Sequence, residues 1–167
     1  MYFSKIDTMD IANGDGVRVT LFVSGCRNHC KGCFQPETWD FYFGEPYTQE
    51  TENYIIEALN HDYINGLTLL GGDPFEPENV FDLILPLKKI KALFPNKTIW
   101  CYTGYKYENL INNPLYKQML QLIDVLVDGK FEEEHYQIGL KFKGSTNQRI
   151  IDVQESLNKN TIVLKYS

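Results

Sequence analysis

An α/β protein with a parallel sheet is the fold class that this sequence predicts, because strand-like and helix-like segments alternate along most of its length. The strand-like segments are short apolar runs rich in β-branched and aromatic residues, and glycine bounds several of them. The helix-like segments have apolar residues three to four positions apart. Strand–helix–strand units of this kind place their two strands parallel.

Four predicted elements occupy the first half of the chain. They are a strand over 17–23 (VRVTLFV), a helix over 48–60, a strand over 66–70 (GLTLL) and a helix over 77–94. The first helix has acidic residues in its first turn, which favours a helix start there. The second helix contains Pro86, where we expect it to bend.

The second half continues the alternation. Its predicted elements are a strand over 97–105 (KTIWCYTGY), a helical stretch over 107–123 interrupted near Pro114, a strand over 124–129 (DVLVDG) and a strand-like end over 161–166 (TIVLKY). No repeat, linker or low-complexity tract divides the chain. At this length we expect one domain over residues 1–167.

The composition narrows the classes of function. A net charge of -6 argues against a nucleic-acid partner, which would require a basic face. No apolar run approaches the about eighteen residues of a membrane span, and the segment MYFSKIDTMD lacks the apolar stretch of a secretory signal. We therefore expect a cytoplasmic protein that is not bound to a membrane. In that reducing compartment, clustered cysteines are more often metal ligands or redox groups than disulfides.

The stretch GCRNHCKGC (25–33) carries the clearest chemical signal. Cys26, Cys30 and Cys33 have the spacing C-x3-C-x2-C on the loop after the first predicted strand. Thiolates on a tight loop suit three corners of a 4Fe-4S cube. The fourth iron then has no nearby protein ligand and can coordinate a substrate or cofactor, as a catalytic zinc does at its open position.

Other interpretations of these cysteines remain open from the residues alone. A structural zinc site requires four ligands, and His29 would have to be the fourth although it is adjacent to Cys30. Cys30 and Cys33 could form a C-x-x-C redox pair, which would leave Cys26 unexplained. Cys101 lies between two aromatic residues in an apolar strand, and we expect it to be a buried core residue.

Further candidate residues follow the other predicted strands. They are Gly71, Gly72 and Asp73, then Thr103 and Gly104, then Asp128 and Gly129. Because parallel strands end at the same edge of a sheet, we expect these residues and the cysteine loop to share one rim. Taken singly, each group is equally typical of a turn or a helix cap.

Six motifs, in order, extend the signal beyond the cysteines. They are NGDGVRVTLFVSGC, CKGCFQPETWDF, GGDP, WCYTGY, VLVDGKF and GSTNQRIID. With these motifs the chain resembles the radical S-adenosylmethionine (SAM) enzymes, and among them the activating proteins of anaerobic ribonucleoside-triphosphate reductase. It departs from the wider superfamily at Gly32, where many members have an aromatic residue, and at Val17, where related activases often have proline.

The resemblance implies a fold and two cofactors. Because the chain is short for a barrel of eight units, the expected fold is a partial, open (β/α) barrel of parallel strands with outer helices, of the radical SAM type. The implied cofactors are one 4Fe-4S cluster and SAM. Cys26, Cys30 and Cys33 would hold the cluster, and the methionine part of SAM would chelate the open iron.

The resemblance also implies which residues contact SAM. Gly71, Gly72 and Asp73 would bind its amino group, since glycines allow close approach of carbonyls and a carboxylate attracts an ammonium. Further contacts would come from Gly32, Cys33, Phe34, Thr103 and Asp128. Phe34 is equally well explained as an apolar packing residue. Asn147 belongs to the family pattern without an assignable role, and His29, His61 and His135 are expected at the surface.

The implied activity is that of an oxidoreductase that generates a glycyl radical. A 5′-deoxyadenosyl radical from SAM would take a hydrogen atom from the Cα of a glycine in anaerobic ribonucleoside-triphosphate reductase. Reduced flavodoxin or a similar donor would supply the electron, and a homodimer or a heterotetramer with the reductase would be the assembly. The alternatives are an activase of another glycyl-radical enzyme, such as pyruvate formate-lyase, and a zinc-stabilised binding module.

Overall fold

The computed structural model describes residues 1–166. Its strands are Tyr2–Asp10 (β1), Arg18–Val23 (β2), Glu45–Pro46 (β3), Gly66–Gly71 (β4), Thr98–Tyr102 (β5), Val125–Asp128 (β6), Arg149–Asp152 (β7) and Leu164–Tyr166 (β8). Its α-helices are Gln49–Leu59 (α1), Pro77–Leu93 (α2), Tyr107–Leu110 (α3), Pro114–Leu120 (α4) and Val153–Lys159 (α5), and short 3-10 turns occur at Pro36–Trp39 and Glu133–His135.

All these strands belong to one eight-stranded sheet in the order β3-β1-β2-β4-β5-β6-β7-β8. The four central strands, β2, β4, β5 and β6, are parallel. The outer strands pair antiparallel, β1 with β2 and β3, and β7 with β6 and β8. The sheet does not close. The predicted α/β class and open sheet are therefore confirmed, whereas the prediction of parallel strands throughout is wrong at both edges.

The connections explain two of the antiparallel pairs, β1 with β2 and β6 with β7. β1 and β2 are joined by residues 11–17, which contain no helix that could cross back over the sheet. Residues 129–148, here called the β6–β7 segment, likewise contain only a short 3-10 turn. A parallel pair needs a crossover connection, usually a helix, whereas antiparallel neighbours do not.

The predicted strands and helices all occur, but the sequence prediction omitted β1, β3, β7 and α5. In β1 only Phe3 and Asp10 are buried, so it lacks the alternation of apolar residues that marks a strand. The predicted interruption near Pro114 is confirmed, because Asn113 caps α4 by accepting a hydrogen bond from the Leu115 N–H. α1 starts at a capping box formed by Thr48 and Thr51.

The helices cover only one face of the sheet. Alternate strand residues such as Leu69, Cys101 and Leu126 belong to the main core, which also contains the buried helix residues Ile55 and Leu87. The strand residues between them form a second cluster on the other face: Trp100, Val125, Val127 and Ile150, with Tyr102, Phe142 and Tyr166 packed against it. Because no helix covers this second, concave face, a ligand can reach the ends of the parallel strands from there.

Arg18 fixes the concave face near the beginning of the parallel strands. Its side chain is fully buried and donates hydrogen bonds to Thr68 Oγ1, to Thr98 Oγ1 and to the carbonyl oxygens of Asp15, Leu67 and Thr98. The guanidinium also lies 5.7 Å from the ring centroid of Trp100. These contacts satisfy every N–H of the group, so Arg18 is structural. Within residues 1–166, no helix has the length and apolar character needed to cross a membrane.

Candidate active site

The three clustered cysteines lie on the loop that leaves the C-terminal end of β2. All three are free thiols and half-buried. The backbone turns between them, since the Cys33 N–H donates to the Cys30 carbonyl at 3.1 Å, and both His29 and Gly32 have positive φ angles. The loop thus brings three thiols to one end of the parallel strands, as predicted.

Contacts from the next elements hold the start of this loop. The N–H groups of Gly25 and Cys26 donate to the carbonyls of Thr38 and Trp39 at 2.7 and 3.2 Å. The N–H of Arg27 donates to Glu76 Oε2 at 2.6 Å, and the Arg27 guanidinium donates to Glu76 Oε1 at 2.8 Å. Glu76 is fully buried, and its carboxylate holds the cysteine loop in place from inside the protein through these charged hydrogen bonds.

In their present side-chain positions, the three sulfurs do not form a ready site for a single metal ion. Within residues 1–166, the side chains whose ligand atoms meet within 4.8 Å of one another are Glu132, Glu134 and His135, and the three cysteines form no such group. A tetrahedral zinc, with Zn–S bonds of about 2.3 Å, would require sulfurs about 3.8 Å apart. A 4Fe-4S cube takes its thiolates at separate corners and tolerates wider spacing. The donor set therefore fits a cluster better than zinc.

Burial disfavours charge on the thiols when they lack a metal. It raises the pKa of the Cys26 thiol to about 11 and also raises the pKa of Cys30. Thiolates in this loop therefore require a strong positive partner, and iron supplies one. His29, the fourth ligand that a zinc site would need, instead stacks on Trp39 with ring centroids 4.4 Å apart.

An open cavity of about 680 Å³ lies beside the thiols. Its walls come from the cysteine loop, the ends of β4 and β5, residues of β1 and the β6–β7 segment. Of the predicted site residues, these line it: Cys26, Cys30, Cys33, Phe34, Gly71, Gly72, Asp73, Thr103, Gly104 and Gly129. Gly32 and Asp128 are not among its lining residues. The ends of the parallel strands thus share one rim with the thiols.

Asp73 joins the separate parts of this rim. Its buried carboxylate accepts hydrogen bonds from the N–H groups of Phe75 and Gly104, from Thr103 Oγ1 and from Asn28 Nδ2, at 2.8 to 2.9 Å. Burial raises its pKa to about 6. Because four donors occupy the carboxylate, its observed role is to tie the cysteine loop to the end of β5.

Gly71 and Gly72 allow the end of β4 to pass close to neighbouring backbone. Gly71 has φ +109, and a Cβ there would lie 2.4 Å from the Val23 carbonyl oxygen. A Cβ on Gly72 would lie 2.6 Å from the carbonyl oxygen of Gly25, next to the first cysteine. Both positions therefore require glycine on steric grounds alone, whatever they bind.

Thr103 and Asp128 also have partners within the protein. Thr103 Oγ1 donates to Asp73 and accepts from the Tyr105 N–H at 3.1 Å. The Asp128 carboxylate accepts from the Tyr107 N–H at 2.8 Å and pairs with the Arg149 guanidinium at 2.6 Å. These are the contacts of a turn and of a helix cap with an ion pair. Contact of either residue with SAM stays a prediction.

Gly32 and Phe34 flank the third cysteine differently. Gly32 has φ +75, and a Cβ there would meet the Glu133 side chain at 3.0 Å, so an aromatic residue at this position would be strained. Phe34 is two-thirds exposed at the cavity and packs on Phe131 and Tyr136, with ring centroids 4.9 and 6.1 Å apart. The superfamily departure at Gly32 thus has a backbone reason.

Comparisons with known proteins identify relatives of this chain. Residues 12–151 match the family model described as a 4Fe-4S single cluster domain. The anaerobic ribonucleoside-triphosphate reductase-activating proteins of Salmonella typhimurium and Escherichia coli K12 are 44% and 43% identical over 150 residues, which are 89% of this chain and 96% of each relative. That of phage T4 is 40% identical over 150 residues, 90% of this chain and 93% of the relative.

The chain belongs to the family of anaerobic ribonucleoside-triphosphate reductase-activating proteins. The resemblance inferred from its motifs is therefore confirmed. As a member of this family it is an enzyme with a 4Fe-4S domain, and an isolated zinc-binding module is no longer a competing interpretation.

Several residues that shape the site in this family member were not predicted. Asn28 and Glu76 hold the cysteine loop, and Gln148 holds the β6–β7 segment. Gln148 Oε1 accepts from the N–H groups of Gly144 and Ser145, and its Nε2 donates to the Gly129 carbonyl. Gln148 is the last residue of the GSTNQ stretch. A polar residue in a recognised motif was the feature of the sequence that could have indicated it. Asn147, in the same motif, donates to the Lys130 carbonyl at 2.8 Å.

The remaining cysteine and histidines lie outside the cavity. Cys101 is fully buried in the helix-covered core, and burial raises its pKa well above the usual value. The predicted core position of Cys101 is confirmed. His29, His61 and His135 are exposed, as expected.

Three of the residues that line the cavity have a buried polar atom without a partner within the described chain. Three buried side-chain atoms have no hydrogen-bond partner among residues 1–166: Gln35 Oε1, Trp39 Nε1 and Tyr102 Oη. All three residues line the cavity that holds the thiols. These atoms have almost no accessible surface, so the protein encloses them although their residues line the cavity.

Proposed function

We propose that this protein is the activase of an anaerobic ribonucleoside-triphosphate reductase and that Cys26, Cys30 and Cys33 hold its 4Fe-4S cluster. The single observation that carries this proposal is the set of three free thiols on one loop, facing an open cavity at the ends of parallel strands. The open sheet, with its helices on one face, is then a partial barrel of the radical SAM type.

When bound, the reduced cluster and SAM supply a 5′-deoxyadenosyl radical that can take a hydrogen atom from a glycine Cα. The chain's own residues have three tasks. The thiols of the loop anchor the cluster beside the cavity, and Glu76 and Asp73 hold that loop against β4 and β5. Gly71 and Gly72 let the end of β4 pack directly against the backbone of Val23 and Gly25, at the start of that loop.

The substrate is a segment of the reductase polypeptide that contains the glycine. A protein segment can reach the site because the concave face is not covered by a helix. Exposed apolar side chains stand at this opening, Phe34, Tyr136 and Ile138 at the cavity and Met9 and Ile11 beside cavity-lining residues. Exposed apolar side chains grouped beside a cavity are typical of a protein-binding site. A flavodoxin-type protein is the electron donor in this proposal, and the cytoplasm is its location.

Anaerobic reconstitution with iron and sulfide tests the proposal. We expect a brown protein that releases 5′-deoxyadenosine from SAM on reduction and that gives the reductase a glycyl-radical signal in electron paramagnetic resonance. Replacing Cys26, Cys30 or Cys33 with serine should abolish the cluster, whereas Cys101→Ala, the matched control in the core, should retain it. A signal that arises in pyruvate formate-lyase and not in the reductase would contradict the assigned partner.

A further inference from the structure

One edge of the sheet lacks a partner strand beside the cavity. β3 is the outermost strand on the side of β1, and it pairs with β1 only at Tyr2 and Phe3. Within residues 1–166, the rest of β1 has no strand on its outer side. We call residues 5–8 of this stretch the free edge. Backbone N–H and C=O groups along such an edge can pair with another extended chain.

The free edge keeps the regular geometry of a strand. Residues 5–7 pair in unbroken register with residues 20–22 of β2, and the register shifts of this pair lie before Lys5 and after Asp7. The first shift coincides with the point where the pairing with β3 stops. Because the backbone groups of an antiparallel strand point alternately to its two sides, some groups of residues 5–8 point away from β2. An added strand can therefore pair there without rearrangement of the sheet.

The free edge borders the cavity that holds the thiols. Lys5 and Asp7 line one wall of this cavity, and residues 137–140 of the β6–β7 segment line another. β1 is antiparallel to β2, so its beginning lies next to the cysteine loop, where the Ser24 N–H donates to the Tyr2 carbonyl at 2.9 Å. A chain that follows the free edge in this direction therefore approaches the thiols.

The surroundings of the free edge favour an extended chain as its occupant. A helix with its side chains is about 10–12 Å wide, whereas an added strand lies only about 4.8 Å from its neighbour. In the proposed function the cavity of about 680 Å³ also holds SAM, so the entering part of the substrate must be slender. Met9 and Ile11, both exposed at the other end of β1, offer apolar contacts to the same chain. The free edge is thus continuous with the surface that the substrate has to contact.

We propose that the glycine-containing segment of the reductase binds as an added β-strand on the free edge of β1. The inference rests on the proposed function, since it takes the reductase to be the substrate. β3 occupies the edge at Phe3, so the added strand ends beside Lys5 and the segment turns there into the cavity. Glycine suits such a turn because it adopts backbone conformations that other residues avoid. Main-chain hydrogen bonds give affinity in this mode of binding, and contacts to alternate side chains give specificity.

Hydrogen exchange tests the pairing in the anaerobically reconstituted, SAM-loaded protein, alone and mixed with the reductase. We expect the amides of residues 5–8 that do not pair with β2 to exchange roughly tenfold more slowly, or slower still, in the mixture. β8 is the matched control, because it forms the other edge of the described sheet and does not line this cavity. Its amides should exchange at an unchanged rate. Slower exchange in the β6–β7 segment with no change at residues 5–8 would overturn the proposal.

Photo-cross-linking identifies the occupant of the free edge. Met9→p-benzoylphenylalanine should cross-link to the reductase peptide that contains the radical glycine, as mass spectrometry can show. Tyr54→p-benzoylphenylalanine is the control, because Tyr54 is exposed to a similar extent, 53% against 59% for Met9, but lies on α1. It should give no cross-link to that peptide. A cross-link from position 9 to a different part of the reductase would contradict the assigned segment.

The failure of this inference can be told apart from the failure of the proposed function. If the reconstituted protein forms no glycyl radical on the reductase, the proposed function fails and the added strand fails with it. If the radical forms while residues 5–8 exchange at an unchanged rate, the function stands and the added strand is wrong. If residues 5–8 are already protected without the reductase and the protein sediments as a dimer, the free edge pairs two copies of this chain, which overturns the assigned occupant.

Discussion

The buried carboxylate of Glu76 accepts a 2.6 Å hydrogen bond from the N–H of Arg27, the residue directly after the first cysteine of the loop. The two residues are 49 positions apart in the chain, and this contact fixes the loop to the start of α2. The position of the first thiol therefore depends on a carboxylate that does not itself bind a cofactor.

Glu76→Gln should lower the amount of cluster that the protein retains. Glutamine keeps the size of the side chain but loses the charge that holds Arg27, a change worth about 1–3 kcal/mol for a buried charged hydrogen bond. Iron content per chain after reconstitution and gel filtration measures the effect. Glu78→Gln is the control, because Glu78 pairs with the exposed end of the same arginine and such pairs contribute about 0–1 kcal/mol. Equal iron content in both variants would contradict the bracing role.

Asp73→Asn should destabilise the rim of the cavity. The amide nitrogen that replaces one carboxylate oxygen accepts no hydrogen bond, so if it replaces Oδ2 the donors Gly104 N–H and Asn28 Nδ2 both lose their acceptor, at about 1–3 kcal/mol for each unpaired group. The midpoint of urea unfolding of the apo protein should fall accordingly. If the midpoint is unchanged while SAM affinity is lost, Asp73 would instead bind the SAM amino group, as the motif suggests.

Asp128→Asn should reduce stability more than SAM affinity. The Asp128 carboxylate is buried and paired with Arg149, and losing one partner of such a pair costs about 3–5 kcal/mol in a fully buried setting and less here, where Arg149 is partly exposed. Glu108→Gln, on the exposed side of the same arginine, should have a small effect. Urea unfolding and SAM titration together separate a structural role from the predicted contact with SAM.

Phe142→Ala should loosen the β6–β7 segment without unfolding the sheet. Phe142 packs on Trp100 and Tyr166 with ring centroids 5.1 and 6.2 Å apart, in a backbone conformation with φ +63. Faster proteolysis within 136–144 and a change in tryptophan fluorescence are the expected results. Ile138→Ala, in the same segment but highly exposed, should leave both unchanged. Unaltered proteolysis of Phe142→Ala would show that other contacts hold the segment.

The sequence predicted the centre of the fold better than its edges. The central strands β2, β4, β5 and β6 are apolar runs with helices between them, and local pattern is sufficient to detect these. β1 is only partly buried along most of its length, and β7 has just two apolar residues between charged ones, so neither has a pattern that distinguishes it from a loop. Their antiparallel pairing depends on the lengths of connections.

For the site, the sequence predicted which residues gather but not which of them are free to bind. That the cysteine loop shares a rim with Asp73 and Thr103 follows from strand ends alone. That Asp73 is occupied by Asn28, and Asp128 by Arg149, depends on contacts between residues 45 and 21 positions apart. Such pairing depends on how distant parts of the chain pack together, so a local sequence motif does not predict it.

The β6–β7 segment forms one wall of the cavity. We expect this segment to open at a lower free energy than the rest of the site. Side-chain contacts such as those of Gln148 and Phe142 hold it, with one isolated bridge between Tyr136 and Ser145, whereas the thiols rest on the hydrogen-bonded sheet. Segments of this kind exchange and open at a lower free energy than the strands beneath them. Access to the ligand and survival of the fold are therefore governed by separate unfolding equilibria, and hydrogen exchange can measure each of them independently.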